Sequence, residues 1–174
     1  MKKLLCLGLS LLLFSGAYPQ TKTTAAGAHA ADEKAIRTTL NAWMTSWANH
    51  DFKNLAAYAT PDMDFVNPAG VWWKGREEVR RGHQAAHNTF FKATPQTLKS
   101  LNIRFARPDV AIAHQVSGMG AYTTPDGKKW GSHEILETWV LVKQNGKWLL
   151  NAGHVSPINP EAVKQVRQEM ARTK

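Results

Sequence analysis

The sequence predicts an α+β domain in which a curved antiparallel sheet wraps around N-terminal helices and encloses a cone-shaped pocket. Apolar residues recur at helical spacing up to about residue 92, whereas the chain from there to residue 157 alternates apolar and polar residues as strands do. Turn signals separate four strand candidates in this second part, and Asn-Gly at 145–146 is a strong hairpin signal. Helices followed by antiparallel strands are typical of an α+β domain whose helices cover one face of the sheet.

The first 17 residues have the features of a secretory signal peptide. Two lysines precede an apolar run from Leu4 to Phe14 that is too short to span a bilayer, and small residues follow it. Cleavage is expected after Ala17, with cleavage after Ala30 as an alternative. Residues 18–31 would then form a flexible mature N-terminus, and the protein would be exported to the periplasm or secreted.

The remaining sequence is predicted to form one domain over residues 32–157, followed by a helical tail over 158–174. The chain is 43% hydrophobic and 20% charged, which is sufficient to bury a core in a domain of this size. Its one cysteine, Cys6, falls within the predicted signal peptide, so no disulfide is expected in the mature protein. No second apolar stretch is long enough to cross a bilayer, so no stable membrane insertion is expected after signal removal.

The net charge of +9 raises the question of an anionic partner. The basic residues are scattered, with short clusters only at Arg80–Arg81, at Lys128–Lys129 and along the last helix. Aromatic residues are not interleaved with them in any nucleic-acid-binding motif. The pattern indicates a solvated basic surface, and no nucleic-acid partner is expected.

Three helices are expected in the first part of the domain. The first covers Asp32 to Asn49, with Asp32 as its cap, and a short second helix covers Phe52 to Tyr58. The third covers Gly75 to about Lys92. The apolar face of the first helix contains Ile36, Leu40, Trp43, Met44 and Trp47, and one face of the third contains Val79, His83, Ala86, His87 and Phe90.

The strand pattern assigns several residues to faces of the sheet. His114 alternates in phase with Val110, Ile112 and Val116, and His154 alternates in phase with Trp148, Leu150 and Ala152. Both histidines are therefore expected to line a pocket or to lie in the core. A stripe of three apolar residues is a candidate dimer face, and Arg104 is expected on the opposite face. This stripe contains Leu101, Ile103 and Phe105.

Four segments occur in an order that identifies a family resemblance: DMDFVNPAGVWWKGREEV, GHQAAHNTFF, RFARPDVAIAH and TWVLVKQNGKWLLNAGHVS. Over residues 32–157 the chain resembles the SnoaL-like branch of the nuclear-transport-factor-2-like superfamily, and within it the SgcJ/EcaC group. The resemblance implies a cone-shaped α+β barrel, a homodimer formed through the outer sheet face, and a ligand cavity between helices and sheet. Relatives include polyketide cyclases, ketosteroid isomerases, dehydratases and non-catalytic binding or assembly domains.

The chain departs from this family in two respects. His154 is followed by Val155, where the family pattern has asparagine. The SgcJ/EcaC group has an oxidoreductase label in its name, yet this chain has no Gly-rich dinucleotide fingerprint and no cysteine pair. No cofactor is therefore expected.

Two histidines on the third helix are the first candidates for chemistry. His83 and His87 are four residues apart, so both reach one side of the helix. The same spacing binds zinc in HExxH, but Gln84 occupies the position of the general-base glutamate, and no carboxylate or thiolate lies at ligand spacing. No metal is expected, although His114 or His154 could supply a third ligand. Each histidine taken alone is also typical of a hydrogen-bonded core residue.

Proton transfer on an enolisable substrate needs a poised carboxylate or histidine and a donor to the developing oxyanion. The candidate catalytic residues are His83, His87, His154 and Asp64, and the resemblance favours Asp64 as the carboxylate. Asp64 could equally be a turn or capping residue. Glu134 and Glu137 lie on opposite faces of their strand, so at most one of them faces the pocket. The candidate ligand-binding residues are Trp43, Trp47, Phe65, Asn67, Trp72, Phe90 and His114.

These observations predict an exported SnoaL-like domain that binds a small apolar or aromatic molecule, with isomerase-, cyclase- or dehydratase-type acid–base chemistry as its activity. A non-catalytic binding protein and a dimeric assembly module are the alternatives. Trp72 and Trp73 are adjacent in a strand and must face opposite sides, so one is expected at the pocket mouth and the other on the outside or against a partner subunit. Both could instead close the narrow end of the cone.

Overall fold

A computed structural model of the chain describes residues 25–173, with side chains from residue 29 onward. The predicted signal peptide and its cleavage site at Ala17 lie outside the described residues. Residues 25–173 contain three α-helices, α1 Ala25–Ala48, α2 Arg76–Asn88 and α3 Pro160–Arg172. The strands are β1 Ala59–Val66, β2 Trp72–Trp73, β3 Gln96–Arg107, β4 Val110–Met119, β5 Tyr122–Thr123, β6 Lys129–Trp130, β7 His133–Gln144 and β8 Lys147–Pro157.

Six strands form one sheet in the order β2-β1-β8-β7-β4-β3, and β5 and β6 form a separate two-stranded hairpin. The predicted α+β cone is confirmed, with one difference in the sheet. Strand β1 pairs with β8 in parallel, so the sheet is mixed and not wholly antiparallel. A long stretch of chain separates these two strands, and no hairpin therefore fixes their relative direction.

The core lies between α1, α2 and the concave face of the sheet. The predicted apolar stripe of α1 is buried there, with Ile36, Leu40 and Trp43 each at most 2% exposed. Thr39 Oγ1 donates a hydrogen bond of 2.7 Å to the Trp148 carbonyl oxygen and so ties the middle of α1 to β8. None of the helices among the described residues is both long and apolar enough to cross a membrane.

The first helix begins at Ala25, so residues 25–31 of the expected flexible segment are helical. Asp32 therefore lies inside α1, and the prediction that it caps the helix is wrong. Its Oδ1 instead accepts hydrogen bonds from Lys143 Nζ at 2.6 Å and Trp148 Nε1 at 2.9 Å. These bonds lower the pKa of the Asp32 carboxyl, Lys143 contributing most. Asp32 thus fastens α1 to the β7–β8 hairpin.

The other predicted helices differ in length from those observed. The expected helix from Phe52 to Tyr58 is a single 3-10 turn over Leu55–Ala57. Helix α2 ends at Asn88, so Phe90 lies just beyond it. The predicted C-terminal helical tail forms α3, where the Asn159 side chain accepts a hydrogen bond from the Ala162 backbone N–H. No side chain of α3 is buried.

Two predicted face assignments in the sheet are wrong. Strand β4 buries Ala111, Ala113 and Gln115, so His114 points to the outer face. The inner face there carries small alanines, which belong to the same core cluster as Trp43 and Trp47 of α1. In β8 a register shift separates Leu150 from Ala152, and this one-residue irregularity turns His154 outward.

The proposed dimer stripe is also placed differently. The stripe packs against the core side of the sheet and is not on its outer face; it contains Leu101, Ile103 and Phe105. Phe105 contacts the rings of Trp148 and His29, at centroid distances of 5.8 and 4.6 Å. Arg104 is exposed on the opposite face, as expected. The outer face carries half-buried apolar residues of β4 and β7 instead.

Candidate functional site

His83 is enclosed by a cage of aromatic rings inside the domain. The four rings lie 4.7–5.0 Å from its centroid and belong to Trp43, Phe52, Phe65 and Trp73. Its Nδ1 forms a 2.9 Å hydrogen bond with the Val79 carbonyl oxygen, so this nitrogen is the donor. Burial lowers the pKa of His83 to about 3, and the imidazole is neutral at physiological pH.

His87, one turn further along α2, pairs with a second histidine. His87 Nδ1 lies 2.7 Å from His50 Nδ1, and His87 is 1% exposed whereas His50 is half-buried. The ring of His87 also contacts Trp47 at 4.3 Å and Phe52 at 5.1 Å between centroids. Burial, with a smaller contribution from His50, lowers the pKa of His87 to about 4. His83 and His87 thus both face the interior.

Gln84 lies between the two histidines on α2 and holds the segment that follows α1. Its Nε2 donates to the His50 carbonyl oxygen at 3.0 Å, and its Oε1 accepts from the Phe52 backbone N–H at 3.1 Å. His50 has a φ of 53°, a left-handed conformation that is uncommon for residues other than glycine. The position where HExxH has its glutamate is therefore used here to position His50.

A buried carboxylate lies on the inner face of the sheet. Glu137 Oε2 accepts three hydrogen bonds from neighbouring strands: Gln96 Nε2 at 2.9 Å, Gln115 Nε2 at 2.8 Å and Ser117 Oγ at 2.9 Å. Glu137 is 3% exposed, and burial raises the pKa of its carboxyl against the opposing effect of these donors. Of the two glutamates of β7, Glu137 is the one that faces the interior, and Glu134 is exposed.

Four buried polar side-chain atoms among the described residues have no hydrogen-bond partner. All four belong to residues of the interior: Trp43 Nε1, His87 Nε2, Gln96 Oε1 and Trp139 Nε1. The Trp43 and Trp139 rings meet edge to face with centroids 4.7 Å apart. Because more than nine in ten buried polar groups in folded proteins are paired, this grouping is unusual.

Asp64 and Trp72 lie together at the rim of the sheet, away from the histidines. Trp72 Nε1 donates to Asp64 Oδ2 at 3.0 Å, and Lys74 Nζ lies 4.3 Å from the Trp72 ring centroid. Trp72 is 55% exposed, whereas its neighbour Trp73 packs on Phe65 and His83. The expectation that the two tryptophans face opposite sides is confirmed, with Trp73 as the inner one.

Asn67 supports a turn. Its Oδ1 accepts hydrogen bonds from the backbone N–H groups of Ala69 and Val71, both at 2.9 Å. This arrangement is an Asx-type turn that orders the connection between β1 and β2. The side-chain oxygen is therefore occupied by local structure.

His114 and His154 lie on the outer face, one on each side of Thr138. Cross-strand pairing aligns His114 with Thr138, and Thr138 with His154. Within the described residues, no three side chains of histidine, cysteine, aspartate or glutamate are arranged to hold a metal ion. The structure therefore brings together His83, His87, Trp43, Trp47 and Phe65 of the predicted residues, and it separates Asp64, Asn67, Trp72, His114 and His154 from them.

Phe90 belongs to an aromatic cluster just beyond the end of α2. Phe90 and Phe91 lie 4.4 Å apart, and Tyr122 of the β5–β6 hairpin lies 4.8 Å from Phe91. Phe91 in turn contacts Trp47 at 5.1 Å. The hairpin thus covers the side of the domain on which Trp47 is buried.

Two clefts in the described part of the chain lie outside this interior. A cleft of about 690 Å³ is lined by residues including Lys99, His133 and Glu134, and one of about 430 Å³ by residues including Lys34 and Lys147. The aromatic side chains fill the space between α1, α2 and the sheet. A molecule bound among them would have to displace some of these side chains.

Several residues of this interior were not identified from the sequence. The omitted ones are His50, Gln96, Gln115, Ser117 and Trp139. The alternation of β4 places Gln115 and Ser117 on the face opposite to Val110, Ile112 and Val116. The sequence favours the face with the larger apolar side chains as the core face, and the structure buries the other one. The pairing of His50 with His87 joins residues that are 37 positions apart and has no local signal.

Comparison with known proteins agrees with this architecture. The family profile described as SnoaL-like domain matches residues 36–160. An uncharacterized protein with a cystatin-like fold from Caulobacter vibrioides is 30% identical, with a TM-score of 0.75 over 76% of this chain and 94% of that chain. No curated protein matches this chain significantly.

Two further solved structures share the fold at lower identity. A nuclear transport factor 2-like superfamily protein from Salmonella enterica is 17% identical, with a TM-score of 0.65 over 75% of this chain and 94% of that chain. A ketosteroid isomerase-like protein from Erwinia carotovora atroseptica is 19% identical, with a TM-score of 0.60 over 73% and 96%. The narrower SgcJ/EcaC assignment stays a prediction. The chain belongs to the SnoaL-like domain family.

Proposed function

We propose that this SnoaL-like domain binds a small, largely apolar or aromatic molecule between α1, α2 and the sheet, and that its own side chains transfer a proton on that molecule. The reaction would be of the isomerase, cyclase or dehydratase type. The interior offers aromatic surface from Trp43, Trp47 and Phe65, which suits a ring-containing ligand. It also offers ionisable groups in His87 and Glu137.

The group of unpartnered buried atoms carries this proposal. Trp43 Nε1 and Trp139 Nε1 can only donate, so each lacks an acceptor inside the domain. Leaving a buried donor without a partner costs about 1–3 kcal/mol. A ligand that brings a carbonyl or hydroxyl oxygen among these rings would satisfy them. Such a ligand offsets this penalty, whereas a purely apolar one does not.

Glu137 suits the role of the acid. Burial raises the pKa of its carboxyl, which favours the protonated form. Because Oε2 already accepts from Gln96, Gln115 and Ser117, the proton is best placed on Oε1. A neutral carboxyl in an apolar site can donate to an oxygen that becomes negatively charged during enolisation.

His87 suits the role of the base. Its pKa of about 4 keeps the ring neutral at physiological pH, so one of its nitrogens has a free lone pair. When that lone pair is on Nε2, the buried and unpartnered nitrogen can accept a proton from a bound molecule. His83 is less suited, because its ring is enclosed by four aromatic side chains and its Nδ1 is bound to Val79.

A non-catalytic binding protein is the second candidate. The observation in its favour is the filling of the interior by aromatic side chains, which pack directly on one another and on His83. A domain of this kind would bind a ligand by side-chain displacement and release it unchanged. The two candidates differ only in turnover.

One probe, 1-indanone, tests both candidates because it combines a bicyclic ring, a carbonyl oxygen and exchangeable α-hydrogens. We expect saturable quenching of tryptophan fluorescence, and accelerated exchange of the α-hydrogens for deuterium in D₂O as measured by NMR. Glu137→Gln and His87→Gln should slow the catalysed exchange by about 100-fold. Matched controls are Glu134→Gln on the same strand and His114→Gln on the outer face.

The outcomes separate the candidates. Saturable quenching without accelerated exchange would overturn the proton-transfer proposal and support the binding protein. Absence of saturable quenching would overturn both. Exchange that survives Glu137→Gln and His87→Gln equally would show that the assignment of these roles is wrong.

We also propose a homodimer formed through the outer face of the sheet. Leu136 is 37% exposed on this face, and its apolar neighbours on β4 and β7 are half-buried. Native mass spectrometry of the untagged protein should give twice the monomer mass. Leu136→Lys should give the monomer, since it places a charge in the contact. A monomeric wild-type protein would overturn the proposal.

Export is proposed from the leader sequence. The intact mass of the protein recovered from a periplasmic extract or culture medium should correspond to a chain that begins after Ala17 or after Ala30. A full-length chain that remains in the cytoplasm would overturn the proposal.

A further inference from the structure

We propose that His50 and His87 form a proton relay that connects solvent to the interior, with His50 as its outer member. This inference rests on the proposed proton-transfer function and extends it to a residue that does not touch the bound molecule. It is carried by the direct contact of the two Nδ1 atoms, by the burial of His87 Nε2 without a partner, and by the hydrogen bonds of Gln84 that hold the His50 segment against α2.

The 2.7 Å contact between the two Nδ1 atoms requires one donor and one acceptor. If His87 Nδ1 donates, its Nε2 carries a lone pair that points into the interior. If His50 Nδ1 donates instead, His87 Nε2 carries the proton. The shared proton therefore decides whether the interior meets a base or an acid.

The two rings differ in their access to water. His87 is 1% exposed and its Nε2 is buried. His50 is half-buried and is therefore the member of the pair that lies nearer to solvent. The pair thus has an inner end and an outer end, which is the arrangement a relay needs.

The backbone at His50 ends α1 and is held against α2. Its φ of 53° is the left-handed conformation of a helix C-cap, in which the Asp51 N–H donates to the Ser46 carbonyl oxygen and the His50 N–H donates to the Trp47 carbonyl oxygen, both at 3.0 Å. Gln84 of α2 bonds to the His50 carbonyl oxygen and to the Phe52 backbone N–H. These bonds fix the segment that carries the His50 ring beside His87.

One relay step moves a single proton from the interior to water. His87 Nε2 accepts a proton from the bound molecule, and the His87 Nδ1 proton passes to His50 Nδ1. His50 is then protonated on both nitrogens and releases its Nε2 proton to water. The reverse sequence delivers a proton from water to His87 Nε2. The first transfer breaks a C–H bond of the bound molecule and forms the His87 Nε2–H bond. The second breaks the His87 Nδ1–H bond and forms the His50 Nδ1–H bond. The third breaks the His50 Nε2–H bond and forms an O–H bond on water, and no other reactant is needed.

The side chains around the pair add little net charge, so the position of the shared proton sets the protonation state of His87 Nε2. The side chains packed on His87 are Trp47, Phe52 and Phe91, which carry no charge. His83 is the titratable group one turn earlier in α2, and it is neutral at physiological pH. On the side of His50 the charged groups are Asp51 and Lys53, which lie 3.6 Å from each other and offset one another.

The first test observes the relay in the wild-type protein without any ligand. With ¹⁵N-labelled histidine, NMR should show a scalar coupling across the hydrogen bond between the Nδ1 atoms of His50 and His87. The two rings should also titrate as one unit that takes up a single proton first. Two rings that titrate independently and show no coupling would overturn the proposal, whatever the fate of the proposed function.

The second test uses His50→Gly, which the left-handed backbone tolerates and which leaves space for an imidazole. Catalysed exchange of 1-indanone should fall at least about tenfold and should recover when imidazole is added. Imidazole should leave the wild-type rate unchanged. His133→Asn, outside the interior, should behave as the wild type. A rate that does not fall, or one that falls and is not restored, would overturn the relay.

The two proposals can fail separately. If His87→Gln abolishes exchange while His50→Gly leaves its rate and pH profile unchanged, the relay is wrong and the proposed function stands. If no protein-catalysed exchange occurs and the NMR coupling is present, the proposed reaction is wrong and the histidine pair stands as a coupled titrating unit.

Discussion

The indole ring of Trp73 occupies the space that a side chain at position 82 would need. A Cβ placed on Gly82 would lie 2.4 Å from Trp73 Cε2 and 2.5 Å from Cζ2, closer than any normal contact. Glycine in the middle of α2 lets the ring lie flat on the helix and reach His83. The inner tryptophan of the Trp72–Trp73 pair thus closes the histidine cage and does not line an open pocket mouth.

Gly82→Ala should lower the free energy of unfolding by about 1–3 kcal/mol, because the ring must move or the helix must shift. Helix propensity alone predicts the opposite sign, because alanine favours a helix over glycine by about 1 kcal/mol. Urea denaturation monitored by tryptophan fluorescence gives the difference. The control is Gly131→Ala, where a Cβ meets no atom within 4 Å. A stabilised Gly82→Ala variant would contradict the packing described here.

Acid should destabilise the domain through its two interior histidines. Burial lowers the pKa of His83 to about 3 and of His87 to about 4, so the unfolded chain binds protons near pH 6.5 that the folded chain does not. The contribution of the two histidines is therefore full above about pH 6.5 and falls as the pH drops through about 4 and toward about 3. His83→Leu should make the fall shallower, as measured by thermal unfolding between pH 7.5 and 4.5. His114→Leu, on the outer face, should lose as much stability between pH 7.5 and 4.5 as the wild type does.

Glu137→Gln should change the stability of the domain at high pH, whereas the histidines affect it at low pH. The raised pKa of Glu137 means that the unfolded chain ionises first, so folding loses stability as the pH rises above about 4.5. Glutamine retains the shape and an acceptor for Ser117 but cannot ionise. The variant should therefore gain stability relative to the wild type at pH 8 and gain none at pH 4. An equal change at both pH values would show that Glu137 ionisation is not involved.

Asp32→Asn should loosen the attachment of α1 to the β7–β8 hairpin. The carboxylate accepts from Lys143 and from Trp148, and an amide loses the charge that strengthens both bonds. We expect a loss of about 1 kcal/mol at pH 7 in chemical denaturation. Because the pKa of Asp32 is lowered, this difference should vanish as the pH falls through that value. Glu33→Gln, in an exposed pair with Arg37, should have a smaller effect.

The helices and strands could be predicted because an element that buries one face repeats apolar residues at a fixed spacing in the sequence. The apolar stripe of α1 and the Asn145–Gly146 turn are each set by neighbours a few residues away. Asn145 and Gly146 have φ values of 50° and 77°, as that two-residue hairpin turn requires. Family membership followed from the order of these local patterns.

The sequence by itself determined the α+β class, the helical face shared by His83 and His87, and the opposite facing of Trp72 and Trp73, since each depends on local periodicity. Only the tertiary structure decided that one extra residue in β8 turns His154 outward. It alone brought donors from β3 and β4 onto Glu137, and it alone placed His50 against His87. The physical reason is that hydrogen bonds between distant elements depend on register and packing, which short-range patterns do not record.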